Sequence, residues 1–177
     1  MRLFIAINFN DEIKDALCET ASELKAASRR GRVTPRENLH LTLVFIGETN
    51  RADDILDVME DVAEEAFTEP VRISLSEAGA FKGRNGDLHW VGVENTPELS
   101  RLASKIAAEL REAGFEIEKR RFVPHITIGR EIVLSSAADI RIQIVSMEAD
   151  RISLMRSDRI DGRLVYSEVG SVLNSGR

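Results

Sequence analysis

Hydrophobic and polar positions alternate with the two-residue period of β-strands in some segments and with the 3.6-residue period of α-helices in others. Each change of period predicts the start of a new secondary-structure element. Residues 3–9 form a short apolar run of strand-forming residues, which predicts a buried β-strand. Asn10 can cap the helix that follows, and apolar residues at helical spacing predict that this helix ends at Gly31. The chain therefore begins with a strand and a helix.

The middle of the chain repeats this pattern of strand and helix. A second strand is predicted at residues 39–46, and an amphipathic helix at 53–67 that stops before Pro70. Two further strands are predicted at 71–78 and 88–93, because a turn-rich segment separates two runs of strand-forming residues.

The last helix has the clearest boundaries, with Thr96 as N-cap, Pro97 at the first helical position and Gly114 as the stop. The Asp161-Gly162 pair predicts a hairpin turn near the end. The remaining strands are predicted at residues 115–120, 123–130, 142–155 and 162–170.

This order of elements predicts an α+β protein whose sheets are mostly antiparallel and flanked by helices. No Pro-rich or Ser-rich linker divides the chain, so residues 1–177 are expected to form a single domain. The net charge is −6. A protein that binds long nucleic acids through their phosphates usually has a basic excess, so any RNA contact should be small, such as one terminus.

Cysteine usage and the N-terminal sequence restrict the class further. Cys18 is the only cysteine, which excludes an internal disulfide and a cysteine-based zinc site. The apolar run at residues 3–9 is too short for a signal peptide, and no segment approaches the length of a membrane span. A cytoplasmic protein with no membrane partner is expected.

Two of the three histidines begin the same short motif, His-x-Thr-x. His40 is followed by Thr42, and His125 is followed by Thr127, although threonine occupies only seven of the 177 positions. In a strand, residues i and i+2 point to the same face, so each histidine shares a face with its threonine. Leu39, Leu41, Leu43 and Phe45 are expected to fill the opposite, buried face of the first motif strand, and Ile126 and Ile128 that of the second.

If the two strands are neighbours or pseudo-symmetric mates, the two His-Thr pairs face each other across a groove. One imidazole can then take a proton from an attacking water while the other gives a proton to the departing oxygen of a phosphodiester. The threonine hydroxyls can bind the non-bridging phosphate oxygens. Such a device needs no metal when the diester is already reactive, as a strained 2′,3′-cyclic phosphate is.

The residues around the second motif carry further predictions. Arg130 is out of phase with His125 along a strict strand, but Gly129 permits a β-bulge that would turn Arg130 towards a phosphate. His89 has no threonine two positions later and is predicted to be non-catalytic. Trp90 and Phe81 are predicted to belong to the core rather than to form base-stacking platforms.

The segments around these motifs resemble the 2H phosphoesterase superfamily, and specifically the RNA 2′,3′-cyclic phosphodiesterases formerly called 2′-5′ RNA ligases. Pro35 to Gly47 resembles the first family signature, Leu88 to Val93 the central strand, and Phe122 to Arg130 the second signature. One departure is that relatives often carry an aromatic residue shortly before the proline of the first signature, where this chain has Val33 and Thr34.

The resemblance implies a bilobal, pseudo-two-fold α+β fold with a central cleft, and an enzyme that opens RNA 2′,3′-cyclic phosphate to a 2′-phosphomonoester. It assigns His40 as proton donor and His125 as proton acceptor. Thr42, Thr127 and Arg130 are the candidate phosphate-binding residues. The expected partners are RNA 3′ ends or small 2′,3′-cyclic nucleotides, with no metal and no cofactor, and the expected state is a monomer.

Three alternatives to metal-independent hydrolysis stay open on the sequence. The same chemistry run in reverse would join RNA through 2′-5′ linkages. A non-catalytic module that binds nucleotides or RNA ends would keep the groove without reaction, although binding alone does not require two acid-base groups. A metal-dependent hydrolase is the weakest alternative, because no cluster of His, Asp or Glu stands at ligand spacing.

Overall fold

The computed structural model describes residues 1–137 and 139–176 as two antiparallel sheets and three α-helices. The helices are α1 (Asp11–Ala26), α2 (Ala52–Ala66) and α3 (Pro97–Glu112). The strands are β1 (Arg2–Asn8), β2 (Ser28–Val33), β3 (His40–Glu48), β4 (Val71–Phe81), β5 (Asp87–Val93), β6 (His125–Leu134), β7 (Ser146–Ala149), β8 (Arg151–Ile160) and β9 (Arg163–Leu173).

The two motif strands lie in different sheets. The first sheet has the strand order β3-β1-β8-β9, and the second has the order β2-β6-β5-β4-β7, with antiparallel pairing throughout. Strands β3 and β6 also approach one another, so the sheets meet at the strands that carry the His-x-Thr-x motifs. The α+β fold with antiparallel sheets and flanking helices is confirmed.

One large hydrophobic core joins both sheets to the helices. Side chains from one face of each motif strand enter it, including Leu41 and Ile126, which are both fully buried. A second, small cluster of Phe4, Ala6 and Met155, with Tyr166 packed against it, lies outside this core. Because strand side chains alternate between faces, this small cluster lies on the same side of the first sheet as His40.

Helices α1 and α3 begin at the predicted N-caps. The Asn10 side chain accepts a hydrogen bond from the Ile13 amide at 3.0 Å, and the Thr96 side chain accepts one from the Leu99 amide at 3.2 Å. The predicted hairpin turn is also confirmed, since Asp161 and Gly162 both have positive φ, 50° and 76°. None of the described helices combines the length and apolarity of a membrane span.

The prediction that α1 continues to Gly31 is wrong, because α1 ends at Ala26 and the following residues form β2. Strand β2 is an edge strand whose residues are mostly exposed on both faces, so it lacks the alternation that marks a strand in sequence. Gly31 has φ +118°, and a Cβ there would lie 2.7 Å from the Glu131 carbonyl oxygen. The glycine therefore allows a close approach to β6 and does not end a helix.

Two predictions for the C-terminal half are also wrong. No strand is assigned at residues 115–120, where Arg111 donates side-chain hydrogen bonds to the carbonyls of Ile117 and Glu118 at 3.2 and 3.1 Å. The predicted strand at 142–155 is two strands in different sheets, because β7 pairs with β4 and β8 pairs with β1. Apolar periodicity alone does not distinguish a buried loop from a strand.

Candidate active site

His40 opens β3 and is held by two hydrogen bonds. Its Nδ1 lies 2.7 Å from the Asn38 carbonyl oxygen, which can only accept, so Nδ1 carries a hydrogen in both protonation states. Its Nε2 lies 2.8 Å from Thr42 Oγ1. The neutral ring therefore accepts from the Thr42 hydroxyl at Nε2, and the protonated ring donates to it.

Two aromatic rings hold the His40 imidazole from the sides. The centroid of the buried Phe4 ring lies 4.9 Å from that of His40, and the Tyr166 ring meets His40 edge-on at 5.1 Å. The Asn38 side chain, which is buried, donates to the Leu164 carbonyl in β9 at 2.9 Å. Contacts from β1, β9 and the segment before β3 therefore fix the ring orientation.

His125 opens β6 with the same backbone contact. Its Nδ1 lies 2.7 Å from the Val123 carbonyl, two residues earlier, just as His40 bonds to the carbonyl of Asn38. The neutral ring therefore has its lone pair at Nε2. Within residues 1–137 and 139–176, Nε2 has no protein hydrogen-bond partner, so it is available to a water or a substrate.

The second threonine is held through its backbone. Thr34, which follows β2, donates from its hydroxyl to the Thr127 carbonyl at 2.9 Å and from its amide to the Ile128 carbonyl at 2.8 Å. Thr127 is half-buried and lies opposite Trp90 in β5. Strand alternation places its side chain on the same face as His125.

The two motif strands influence each other electrostatically. Burial lowers the pKa of His40, and the hydrogen bond to the Asn38 carbonyl opposes this. The positive charge of Arg130, and that of His125 when its ring is protonated, lower the pKa further. These charges act on His40 from the other sheet, so the two motifs share one electrostatic environment. A phosphate anion bound there would raise the pKa of His40 again.

Arg130 follows a break in the strand register. Between Trp90 and His89 of β5, the β6 partner changes from Thr127 to Gly129, so Ile128 is the extra residue of a bulge. The predicted bulge is therefore present. Burial raises the pKa of Tyr166 and the Arg130 charge opposes this, so the guanidinium lies near the aromatic ring that contacts His40.

Several residues near the histidines differ from the sequence predictions. Phe45 was expected in the buried face of β3 but is 51% exposed, because two register shifts between β1 and β3 change the alternation after Thr42. Phe81 is 45% exposed and Trp90 is half-buried, and both rings contact His125, so the prediction that they belong to the core is wrong.

Tyr166 and Asn38 complete the site and were missed in the sequence. Neither belongs to a repeated motif. Tyr166 contacts His40 through the pairing of distant strands, and the Asn38 side chain is held by the Leu164 carbonyl in β9. His89 stands one residue from Trp90 and therefore faces the other side of β5, where burial lowers its pKa and the Asp87 charge opposes this. Among the described residues, no group of three or more His, Cys, Asp or Glu side chains is arranged to hold a metal ion.

Comparison with known proteins identifies the family. A model of the 2′-5′ RNA ligase superfamily matches residues 13–161, which is most of the chain. The chain belongs to this superfamily. Two relatives, both named RNA 2′,3′-cyclic phosphodiesterase, are each 36% identical to it. The one from Archaeoglobus fulgidus aligns over 73% of this chain and 72% of its own, and the one from Thermotoga maritima over 73% and 70%.

Solved structures show the same fold. The crystal structure of TT0787 from Thermus thermophilus matches with a TM-score of 0.81 and 26% identity, covering 99% of each chain. The structure of Escherichia coli LigT complexed with 3′-AMP matches with a TM-score of 0.79 and 24% identity, covering 97% of each chain. This member of the 2′-5′ RNA ligase superfamily therefore has the 2H phosphoesterase fold that its motifs predict.

Proposed function

We propose that the protein hydrolyses RNA 2′,3′-cyclic phosphate ends to 2′-phosphomonoesters by acid-base catalysis with His40 and His125. The observation that carries the proposal is the matched geometry of the two rings. Each has Nδ1 tied to the backbone carbonyl two residues earlier, which leaves Nε2 as the proton-transferring atom on a strand where the sheets meet. The names of the relatives support this substrate class.

In the proposed reaction, a water attacks phosphorus and the bond from phosphorus to the 3′ oxygen breaks. His125 accepts a proton from the water at Nε2, and His40 donates its Nε2 proton to the departing 3′ oxygen. The product keeps phosphate on the 2′ oxygen, and exchange of protons with solvent restores both rings. His40 must be protonated for this role, and the charge of the bound phosphate favours that state.

The phosphate itself is proposed to bind Thr42, Thr127 and Arg130. Thr42 Oγ1 lies next to His40 Nε2, the atom proposed to transfer the proton. The Thr42 hydroxyl is therefore close to where the phosphate would bind. Arg130 supplies a fixed positive charge to the non-bridging oxygens, where charge develops in the transition state. The raised pKa of Tyr166 keeps its phenol protonated, so it is a further donor beside His40.

We also propose that residues 1–177 work as a single domain, since one hydrophobic core includes side chains from both sheets. The active unit is proposed to need neither metal nor cofactor, because acid-base catalysis by two imidazoles contributes on the order of 10²–10⁴-fold per group for an already strained diester. The expectations of a monomer and of a cytoplasmic location stay predictions.

The proposal is tested by incubating the protein with RNA that ends in a 2′,3′-cyclic phosphate and identifying the product by ³¹P NMR. We expect only the 2′-phosphomonoester, formed at the same rate with and without excess chelator, because no metal takes part in the proposed proton transfers. Activity that disappears in chelator and returns on adding a divalent metal would contradict the mechanism. A 3′-phosphate product would contradict the assigned leaving oxygen.

A further inference from the structure

An aromatic surface lies beside His125 on the second sheet. The Phe81 ring meets the His125 ring edge-on at 5.5 Å between centroids, and Trp90 lies 5.5 Å from Phe81 and 6.5 Å from His125. These three residues come from three neighbouring strands, β4, β5 and β6. Neither Phe81 nor Trp90 belongs to the main core, so the main core does not explain their position.

The strand register explains how this surface is built. Trp90 pairs with Thr127 on one side and with Gly79 on the other, and Phe81 lies two residues beyond Gly79 on the same face. A Cβ at Gly79 would lie 2.2 Å from the indole, so a side chain there would clash with the ring in its present position. Gly79 therefore lets the indole lie over β4 and support the Phe81 ring.

Phe81 remains largely accessible to solvent. It ends β4, and 45% of its surface stays exposed despite the contacts with Trp90 and His125. Aromatic rings beside a phosphate-binding site stack on nucleobases, because every base has a flat π-face, and such stacking tolerates different sequences. In a protein of net charge −6, stacking also provides affinity that does not depend on an excess of basic residues.

We propose that Phe81, supported by Trp90, is a stacking platform for a nucleobase of the RNA end. The inference rests on the proposed function, because it is the phosphate at His40 and His125 that brings a base to this surface. The base belongs either to the terminal nucleotide or to the one before it. Both have the same chemistry, and substrates that lack one of the two bases distinguish them.

The other exposed phenylalanine is a weaker candidate. Phe45 is 51% exposed on the first sheet, but the Arg2 guanidinium lies over its ring at 5.2 Å from the centroid. The ring contacts of His40 come instead from Phe4 and Tyr166, whereas Phe81 touches the second motif histidine directly. The geometry therefore favours Phe81, and Phe45→Leu serves as the competing variant.

The test compares wild type with Phe81→Leu on three dinucleotides that end in a 2′,3′-cyclic phosphate. One carries both bases, one lacks the terminal base and one lacks the preceding base. We expect Phe81→Leu to raise KM for the complete dinucleotide by about tenfold to a hundredfold, with a much smaller change in kcat. The rise should vanish for the dinucleotide that lacks the stacked base, which identifies that base.

Further variants separate stacking from a loss of structure. Phe81→Tyr should keep KM near the wild-type value, and Gly79→Ala should raise it as Phe81→Leu does, because the added methyl displaces the indole. Ile160→Ala, at an exposed position of β8, should leave all three substrates unchanged.

Two results would overturn the platform. One is that Phe81→Leu changes KM equally for all three dinucleotides, or changes it for none of them. The other is that KM rises in a base-dependent way in Phe45→Leu alone. Failure of the wild type to open any cyclic phosphate would instead reject the proposed function.

Discussion

Replacing His40 or His125 with alanine is expected to lower the turnover of RNA 2′,3′-cyclic phosphate by at least about a hundredfold each, since general acid and base catalysis contribute about 10²–10⁴-fold. Each variant removes one Nε2 that is proposed to transfer a proton and leaves the other ring in place. The measurement is kcat on a saturating RNA substrate. Because the two rings are proposed to act in one step, the double variant should have a kcat only slightly lower than that of the less active single variant.

The control for this experiment is His89→Ala. His89 is half-buried like the motif histidines, but it lies on the other side of β5, so its loss should leave turnover nearly unchanged. Thermal unfolding of all three variants separates a catalytic loss from a folding defect. Near-normal turnover in His40→Ala or His125→Ala would remove that residue from the mechanism, and a collapse of turnover in His89→Ala would place His89 in the mechanism instead.

Ile126→Ala is expected to lower the free energy of unfolding by about 2–5 kcal/mol, the usual cost of removing most of a large buried aliphatic side chain. Ile126 lies between His125 and Thr127, is fully buried and belongs to the main core. The measurement is denaturant unfolding followed by circular dichroism, with the slope compared between variants.

The matched control is Ile144→Ala, the same substitution at a position that is 71% exposed. It should change the free energy of unfolding by no more than about 0.5 kcal/mol, as surface substitutions usually do. If the two variants lose similar stability, the claim that β6 divides into a core face and a catalytic face is wrong.

The sequence predicted those helices and strands whose position is determined by a local pattern of residues. N-caps located the starts of α1 and α3, because Asn10 and Thr96 form local contacts within one turn, and an apolar stripe located α2. The two motif strands were located by their apolar faces, and the repeated His-x-Thr-x pattern selected the histidines that the structure places on strands that meet. These features depend on neighbours in sequence.

The missed features depend on pairing between distant segments. Strand β2 is stabilised by its pairing with β6 and by the close approach at Gly31, neither of which produces an apolar pattern. Phe45 changes face because β1 and β3 pair with register shifts. A bulge changes which side chains share a face, and one sequence does not show where the partner strand imposes it.

The aromatic residues of the site show the same limit. Phe81 and Trp90 are residue types that are common in protein cores. The indole can lie beside His125 because Gly79, its partner on the neighbouring strand, has no side chain to displace the ring. Tyr166 reaches His40 from β9, at the other end of the sequence. The aromatic character of these residues predicts that they are buried. The pairing of β4 with β5 and of β8 with β9 instead places them beside the two histidines.

The claim that both imidazoles act on a single phosphorus is tested most directly by NMR titration of the histidine rings with a nucleoside 2′-phosphate. We expect the signals of His40 and His125 to shift with one common dissociation constant while those of His89 stay unchanged. The pKa of His40, lowered in the free protein by burial and by the charge of Arg130, should rise when the anion binds. A shift of only one motif histidine, or two different dissociation constants, would contradict the claim.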